Sequence, residues 1–253
     1  MKIRVAPSLF DRIPGLCIGI VAVRAADNAA ANMEAEAFRR RCCTEANLLL
    51  KMDPALAEKE LEDYREILSA AGAKEGRTAV EKVFAEYRKL LGVSAAEGVP
   101  EDPEILLQPK KATLDELAGS DALPPVNPIM DIIRGGMLKF HVEIHAYDMG
   151  NRKTPLEIQK AGRTFSVNLG DKVCTADWLC RDEEAGAVTE DTENILILIT
   201  GMKGNRRKVA AARNELARRM KSAFDRAVKW AGWKERRRNL LRKFKFEIFR
   251  EEL

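Results

Sequence analysis

A chain of 253 residues with 46% apolar and 32% charged residues is long enough to bury a sizeable core, as one large domain or one domain with an appendage. No apolar run approaches the roughly 20 residues of a membrane-spanning helix, and no small-residue cleavage pattern follows the longest early one, Leu16–Val23, so the expected location is the cytoplasm. The net charge of +4 conceals an asymmetry: Lys203–Leu253 holds 18 Lys and Arg against 6 Asp and Glu, a net of +12, which leaves the remainder at −8. A basic end on a mildly acidic body is a signal about partners and says nothing of the fold.

In chain order, Lys2–Val5 and Leu16–Val23 are predicted strands, the second apolar almost throughout as for a strand covered on both faces, with Pro14-Gly15 as the turn between them. From Asn28 the pattern becomes helical, with Met33, Ala37, Cys43 or Thr44, and Leu48 on the expected inner face. Asp53-Pro54 starts a further helix that runs to Gly72. Thr78 with Glu81 forms a capping box before a helix carrying Val80, Phe84, Tyr87 and Leu91 inward as far as Gly92. After a connection at Val93–Pro100, two short helices are expected from Asp102 and from Thr113. Gly135-Gly136 is read as a helix end. Strands follow at Lys153–Ile158, at Arg163–Leu169 with Phe165, Val167 and Leu169 alternating inward, and at Val173–Ala176. Asp182–Asp191 is an acidic loop, and Asn194–Thr200 is a second fully buried strand. A long amphipathic helix then begins at Lys203, with Val209, Ala212, Leu216, Met220, Phe224 and Val228 along one face and Gly232 as its interruption. The end of the chain fits a helix or, at Phe244–Phe249, a strand. Helices early and strands late, bracketed by N-terminal strands, give the α+β class.

Five cysteines make an odd count without a C-x-x-C pair, which excludes a disulfide framework and a zinc site. Cys174 is expected as a small buried hydrophobe, and only one of Cys42 and Cys43 is expected to face the core. The only two histidines, His141 and His145, stand in HVEIH, which is not the metalloprotease order, and β-branched Val142 and Ile144 favour an extended chain there. A metal is not expected, nor any other cofactor. Nucleophile-elbow, phosphate-loop and dinucleotide motifs are absent.

One stretch gathers the chemistry-bearing residues. Leu123–Asp148 reads LPPVNPIMDIIRGGMLKFHVEIHAYD, with Pro-Pro and Asn-Pro turns, both histidines and the quartet His145-Ala146-Tyr147-Asp148. LPPVNPIMDII followed by HAYD resembles the B3/B4 tRNA-editing domain of the phenylalanyl-tRNA synthetase β subunit and the related free-standing B3/B4 proteins. Matches continue in order through Arg163–Leu169, Ala176-Asp177 and VTEDTENIL at Val188–Leu196, so the likeness covers about Val99–Thr200. The resemblance implies a B3/B4-like mixed-sheet domain, placed over residues 1–202; the charge and helical periodicity of 203–253 make that segment a basic helical extension. It implies tRNA as partner, and hydrolysis of the ester of a mischarged tRNA as activity. His145 takes the place of the editing-pocket histidine, with Asn127, Asp131, Arg134, Tyr147, Asp148 and Asp177 around the pocket; Asp148 is expected to hold loop geometry. The residue reading alone leaves His145 open between a structural and a catalytic histidine.

Four positions depart from the family pattern. Its T-N pair falls on Ile133-Arg134, its pocket glutamate on Leu198, and its glycine-rich loop on the shorter Arg181–Ala187; of its Trp- and Arg-rich segment only Trp178 and Arg181 have counterparts. A non-catalytic RNA-binding module on the same scaffold is therefore the alternative, and a protein–protein adaptor a third reading. The basic segment supplies candidate RNA contacts at Arg206, Arg207, Lys208, Arg213, Arg218, Arg219, Arg236, Arg237 and Arg238, with Trp230, Trp233 or Phe244 for stacking. The alternative for that segment is a solvated helix face packed on the domain.

Overall fold

Two apolar strands set the architecture. In the computed structural model, which describes residues 3–52, 79–90, 123–151, 156–161, 164–175, 187–226 and 228–234, β2 (Cys17–Val23) and β7 (Ile195–Gly201) are buried at every position. The chain order is β1 (Ile3–Val5), α1 (Pro7–Arg12), β2, α2 (Met33–Met52), α3 (Ala79–Leu90), α4 (Pro128–Phe140), β3 (Glu143–Asp148), β4 (Leu156–Ala161), β5 (Thr164–Leu169), β6 (Lys172–Thr175), β7, α5 (Arg206–Phe224) and β8 (Val228–Lys234). The class is α+β, and the described residues form two four-stranded sheets. The first has the order β1-β4-β5-β6, β1 running parallel to β4 and the rest antiparallel. The second, β3-β7-β2-β8, is antiparallel throughout. Both sheets contribute to one hydrophobic cluster with α1 to α5.

The helical layer lies against one face of the second sheet. A Cβ on Gly19 would stand 3.3 Å from Arg213 Cβ and 3.4 Å from Val209 Cγ1, so the bare backbone of β2 is what lets α5 sit close. Gly19 pairs with Ile199 and Ile199 with Ile144, so these three share the face that meets the helices. α4 is wedged between α2 and the sheet by Gly135 and Gly136, the pair expected to end a helix. A Cβ on Gly135 would meet the Phe38 ring at 3.3 Å, and one on Gly136 would meet Leu216 Cδ2 at 3.1 Å and Ile144 Cδ1 at 3.2 Å. The helix therefore runs through Gly135-Gly136. It stops at His141, which adopts the left-handed region (φ 52°, ψ 46°) and donates its N–H to Met137 O.

α1 was not foreseen; six residues starting at a proline are too few for periodicity to register. On α2 the inner face is Ala35, Phe38, Arg39, Cys42, Cys43 and Ala46, whereas Met33 (87% exposed) and Leu48 (61%) point outward. Both adjacent cysteines are buried because α2 has neighbours on two sides: α4 on one, and on the other Tyr87, whose hydroxyl donates to Cys43 O at 2.5 Å. The helix from Lys203 ends at Phe224, with Asp225 left-handed at φ 48°, so Val228 and Gly232 lie in a strand paired to β2. Over residues 206–234, the segment expected as an extension thus belongs to the core sheet and its helical layer. The helices expected within 53–78 and 91–122, the Thr78 cap and the chain beyond 234 lie outside the described residues.

Two stability predictions follow from this packing. In Gly136→Ala, overpacking against two buried side chains outweighs the gain of about 1 kcal/mol in helix propensity, for a net loss of about 1 kcal/mol in urea unfolding. Gly204→Ala, with nothing within 4 Å, is the neutral control. Burial pushes the Cys17 and Cys174 thiols up to about 11 and Cys42 up to about 12, from an ordinary 9.0. Above pH 9 the unfolded chain therefore binds fewer protons than the folded one. The denaturation midpoint is expected to fall as pH rises from 9 to 11.

Candidate functional site

The Leu123–Asn127 loop and the start of α4 form a closed polar cluster. Asn127 caps the helix, its Oδ1 accepting from Met130 N at 2.9 Å. Ile129 N is taken by Asn28 Oδ1 at 3.0 Å, Asp131 N returns to Asn127 O, and Pro128 has no N–H. Every donor of the first turn is thus engaged, and none is free to hold a carboxylate or an oxyanion.

Asp131 and Arg134 complete the cluster. Asp131 Oδ1 accepts from Val126 N (3.0 Å) and Oδ2 from Arg39 Nε (3.0 Å), while Arg39 Nη1 donates to Leu123 O. Arg134 Nη1 donates to Pro124 O at 2.9 Å, and its Nη2 pairs with Glu86 Oε1 at 2.7 Å. Asn127, Asp131, Arg39 and Arg134 are all buried. Three of the expected pocket residues are therefore fasteners of the loop, and Ile133 is buried apolar core.

His145 lies elsewhere. Ile144 packs under α4, so its strand neighbours Glu143, His145 and Tyr147 project from the opposite face of β3. The structure does not bring His145 to the same side as Arg134. Its register partner is Leu198, the position where the resemblance expects a glutamate. The His145 and Tyr147 rings stack at 6.3 Å with planes 12° apart. His145 Nε2 is 3.0 Å from Glu143 Oε1, close enough for a charge-assisted contact but not aligned as a hydrogen bond. Glu143, 4% exposed, also accepts from Val80 N in the first turn of α3 through Oε2 (3.1 Å). His141, the helix stop, instead meets Phe84 edge-on at 5.2 Å.

Asp148 holds loop geometry: Oδ1 accepts from Gly150 N (2.8 Å), and Oδ2 from Lys172 Nζ (3.1 Å) on the other sheet. Asp177 lies outside the described residues, as do Trp178 and Arg181. Among the described residues no three His, Cys, Asp or Glu side chains gather as a metal ion would need. No described helix is long and apolar enough to cross a membrane.

The basic residues divide by position on α5. Arg206 and Arg207 are exposed in its first turn, beside half-buried Lys208. Arg213 is half-buried and donates to Asn214 Oδ1, and exposed Arg218 pairs with Glu215 at 2.7 Å. Arg219 is not a surface residue. It is 6% exposed, reaches Glu34 at 2.6 Å and Glu215 at 3.0 Å, and lies 4.8 Å over the Phe38 ring. Burial works against its charge, but hydrogen bonds to Glu215 and Glu34 outweigh that and raise its pKa above the usual value. Arg236, Arg237 and Arg238 lie outside the described residues.

No family model matches the chain, and no curated protein matches it.

The cluster makes Asp131 a test of what the motif is for. Asp131→Asn leaves the Arg39 guanidinium buried without its counter-charge and is expected to destabilise the protein by about 3 kcal/mol. Urea unfolding of the variant checks this; an unchanged midpoint would free Asp131 for a role in binding.

Proposed function

We propose that this protein binds RNA in the cytoplasm, with a tRNA as the expected ligand, on a B3/B4-like scaffold. The observation that carries the reading is the first turn of α5: Arg206, Arg207 and Lys208 stand there with no acidic residue and no side-chain cap. A helix N-terminus is the positive end of the macrodipole, so each cation there costs roughly 0.3–1 kcal/mol of stability at low salt. Cations and helix dipole together favour a phosphate, and the sequence from Lys203 to Leu253 carries a net charge of +12. The choice of tRNA among RNAs rests on the ordered motifs from Leu123 to Leu196.

A second reading adds catalysis: hydrolysis of an aminoacyl-tRNA ester at His145. It is favoured by the Glu143–His145 contact, in which His145 is the one partly exposed residue between buried Glu143 and buried Tyr147 on its strand face. In that reaction a water oxygen bonds to the ester carbonyl carbon and His145 takes the water proton. The ester C–O bond then breaks, and the proton passes to the departing ribose oxygen. Asn127, Asp131 and Arg134 do not support this reading, since their side chains are engaged in the loop.

Binding is tested by titrating labelled tRNA at several salt concentrations. Replacing Arg206, Arg207 and Lys208 together by Gln is expected to weaken binding roughly tenfold and to lower the log–log salt slope by about 2. Equal affinity and slope in the variant would remove α5 from the interface. A panel of aminoacyl-tRNAs separates the two readings: His145→Ala is expected to slow deacylation by about 100-fold or more with tRNA affinity unchanged. No turnover by the wild type at stoichiometric protein leaves a binding module.

A further inference from the structure

We infer that Glu143 is a positioning residue that fixes the His145 ring as the Nε2–H tautomer and leaves Nδ1 as its basic atom; as a catalytic device this rests on the deacylase reading above. Glu143 and His145 are two apart on β3 and share a face. Nε2 is fully buried and has no hydrogen-bonding partner, and Glu143 Oε1 is 3.0 Å away. The other oxygen of that carboxylate is held by Val80 N–H at 3.1 Å, which anchors the group from outside the strand.

A carboxylate held through one oxygen by the first turn of a helix leaves the other as an acceptor only, and its negative charge 3.0 Å from Nε2 favours the tautomer with the proton on that nitrogen. Among the described residues, the register neighbour of His145 is Leu198, its stacking partner is the Tyr147 ring, and Nε2 has no hydrogen-bonding partner. The ring keeps 13% of its side chain exposed. That edge is where Nδ1 would meet a water.

Glu143→Gln makes a discriminating change. An amide has one oxygen where the carboxylate has two. If that oxygen stays on Val80 N–H, the NH2 group turns to His145 and demands an acceptor at Nε2. Ring ¹⁵N shifts read the tautomer directly, and the chain has two histidines, so His141→Asn assigns the spectrum by elimination. The wild type is expected to show an Nε2–H tautomer with a ring proton protected from water exchange, and Glu143→Gln to show Nδ1–H. An unprotected ring proton or an Nδ1–H tautomer in the wild type overturns the proposal without need of any variant. So does an identical tautomer in a folded Glu143→Gln. On aminoacyl-tRNA, Glu143→Gln is expected to lower kcat at least tenfold at unchanged KM. A tautomer switch in a protein that deacylates nothing upholds the positioning role and removes the deacylase reading instead.

Discussion

Arg39 carries a charge that water does not reach, and that charge is neutralised only when α2, α4 and the Leu123–Asn127 loop are all in place. Its Nε meets Asp131, its Nη1 meets Leu123 O, and Asp131 in turn holds Val126 N. A buried charge left alone is costly enough to make these contacts conditional on one another. The rest of the helical layer depends on this pair. With α2 and α4 locked together, Phe38 comes under Gly135 and also under the guanidinium of Arg219, so α5 is tied to the same point. α5 then lies over Gly19, and the sheet is covered.

This arrangement explains which features of the sequence were readable. The strands were: unbroken apolar runs gave β2 and β7, and alternation gave β5, with Phe165, Val167 and Leu169 buried. α3 was readable too, with Val80, Phe84 and Tyr87 inward. The inner face of α2 was not, because Arg39 occupies it. A hydrophobic pattern assigns an arginine to solvent and rotates the predicted face, here onto Met33 and Leu48. Gly135-Gly136 misled for a related reason: glycine marks helix ends by its backbone freedom, but here it marks close approach by its missing side chain.

Polar residues pose the harder problem. Asn127, Asp131 and Arg134 sit in a motif-like stretch, and a helix cap, a loop latch and a substrate contact all call for the same residue types. Only the partners tell them apart, and the partners lie far away in sequence: Asn28, Arg39 and Glu86. Glu143 carries a signal of its own in the sequence. Once Val142 and Ile144 make the segment extended, residues two apart share a face, and Glu143 is two before His145. The division of the basic residues into exposed and buried needed the helix phase: Arg218 and Arg219 are neighbours in sequence, yet one is solvated and the other lies inside an ion-pair network.

The second sheet also has a consequence in time. β2 is flanked by β7 and β8, so Val21 pairs with Ile197 on one side and Trp230 on the other. Both partners emerge from the ribosome long after β2. At about 5–20 residues per second, a strand without a polar residue waits roughly 9–36 s for β7 with both edges unpaired, and about 2–7 s more before β8 can cover the second edge. Contacts this distant in sequence close slowly, and an open apolar strand is a template for the wrong partner. The same uninterrupted hydrophobicity that makes β2 easy to read thus makes it the segment most in need of protection while the chain is being made.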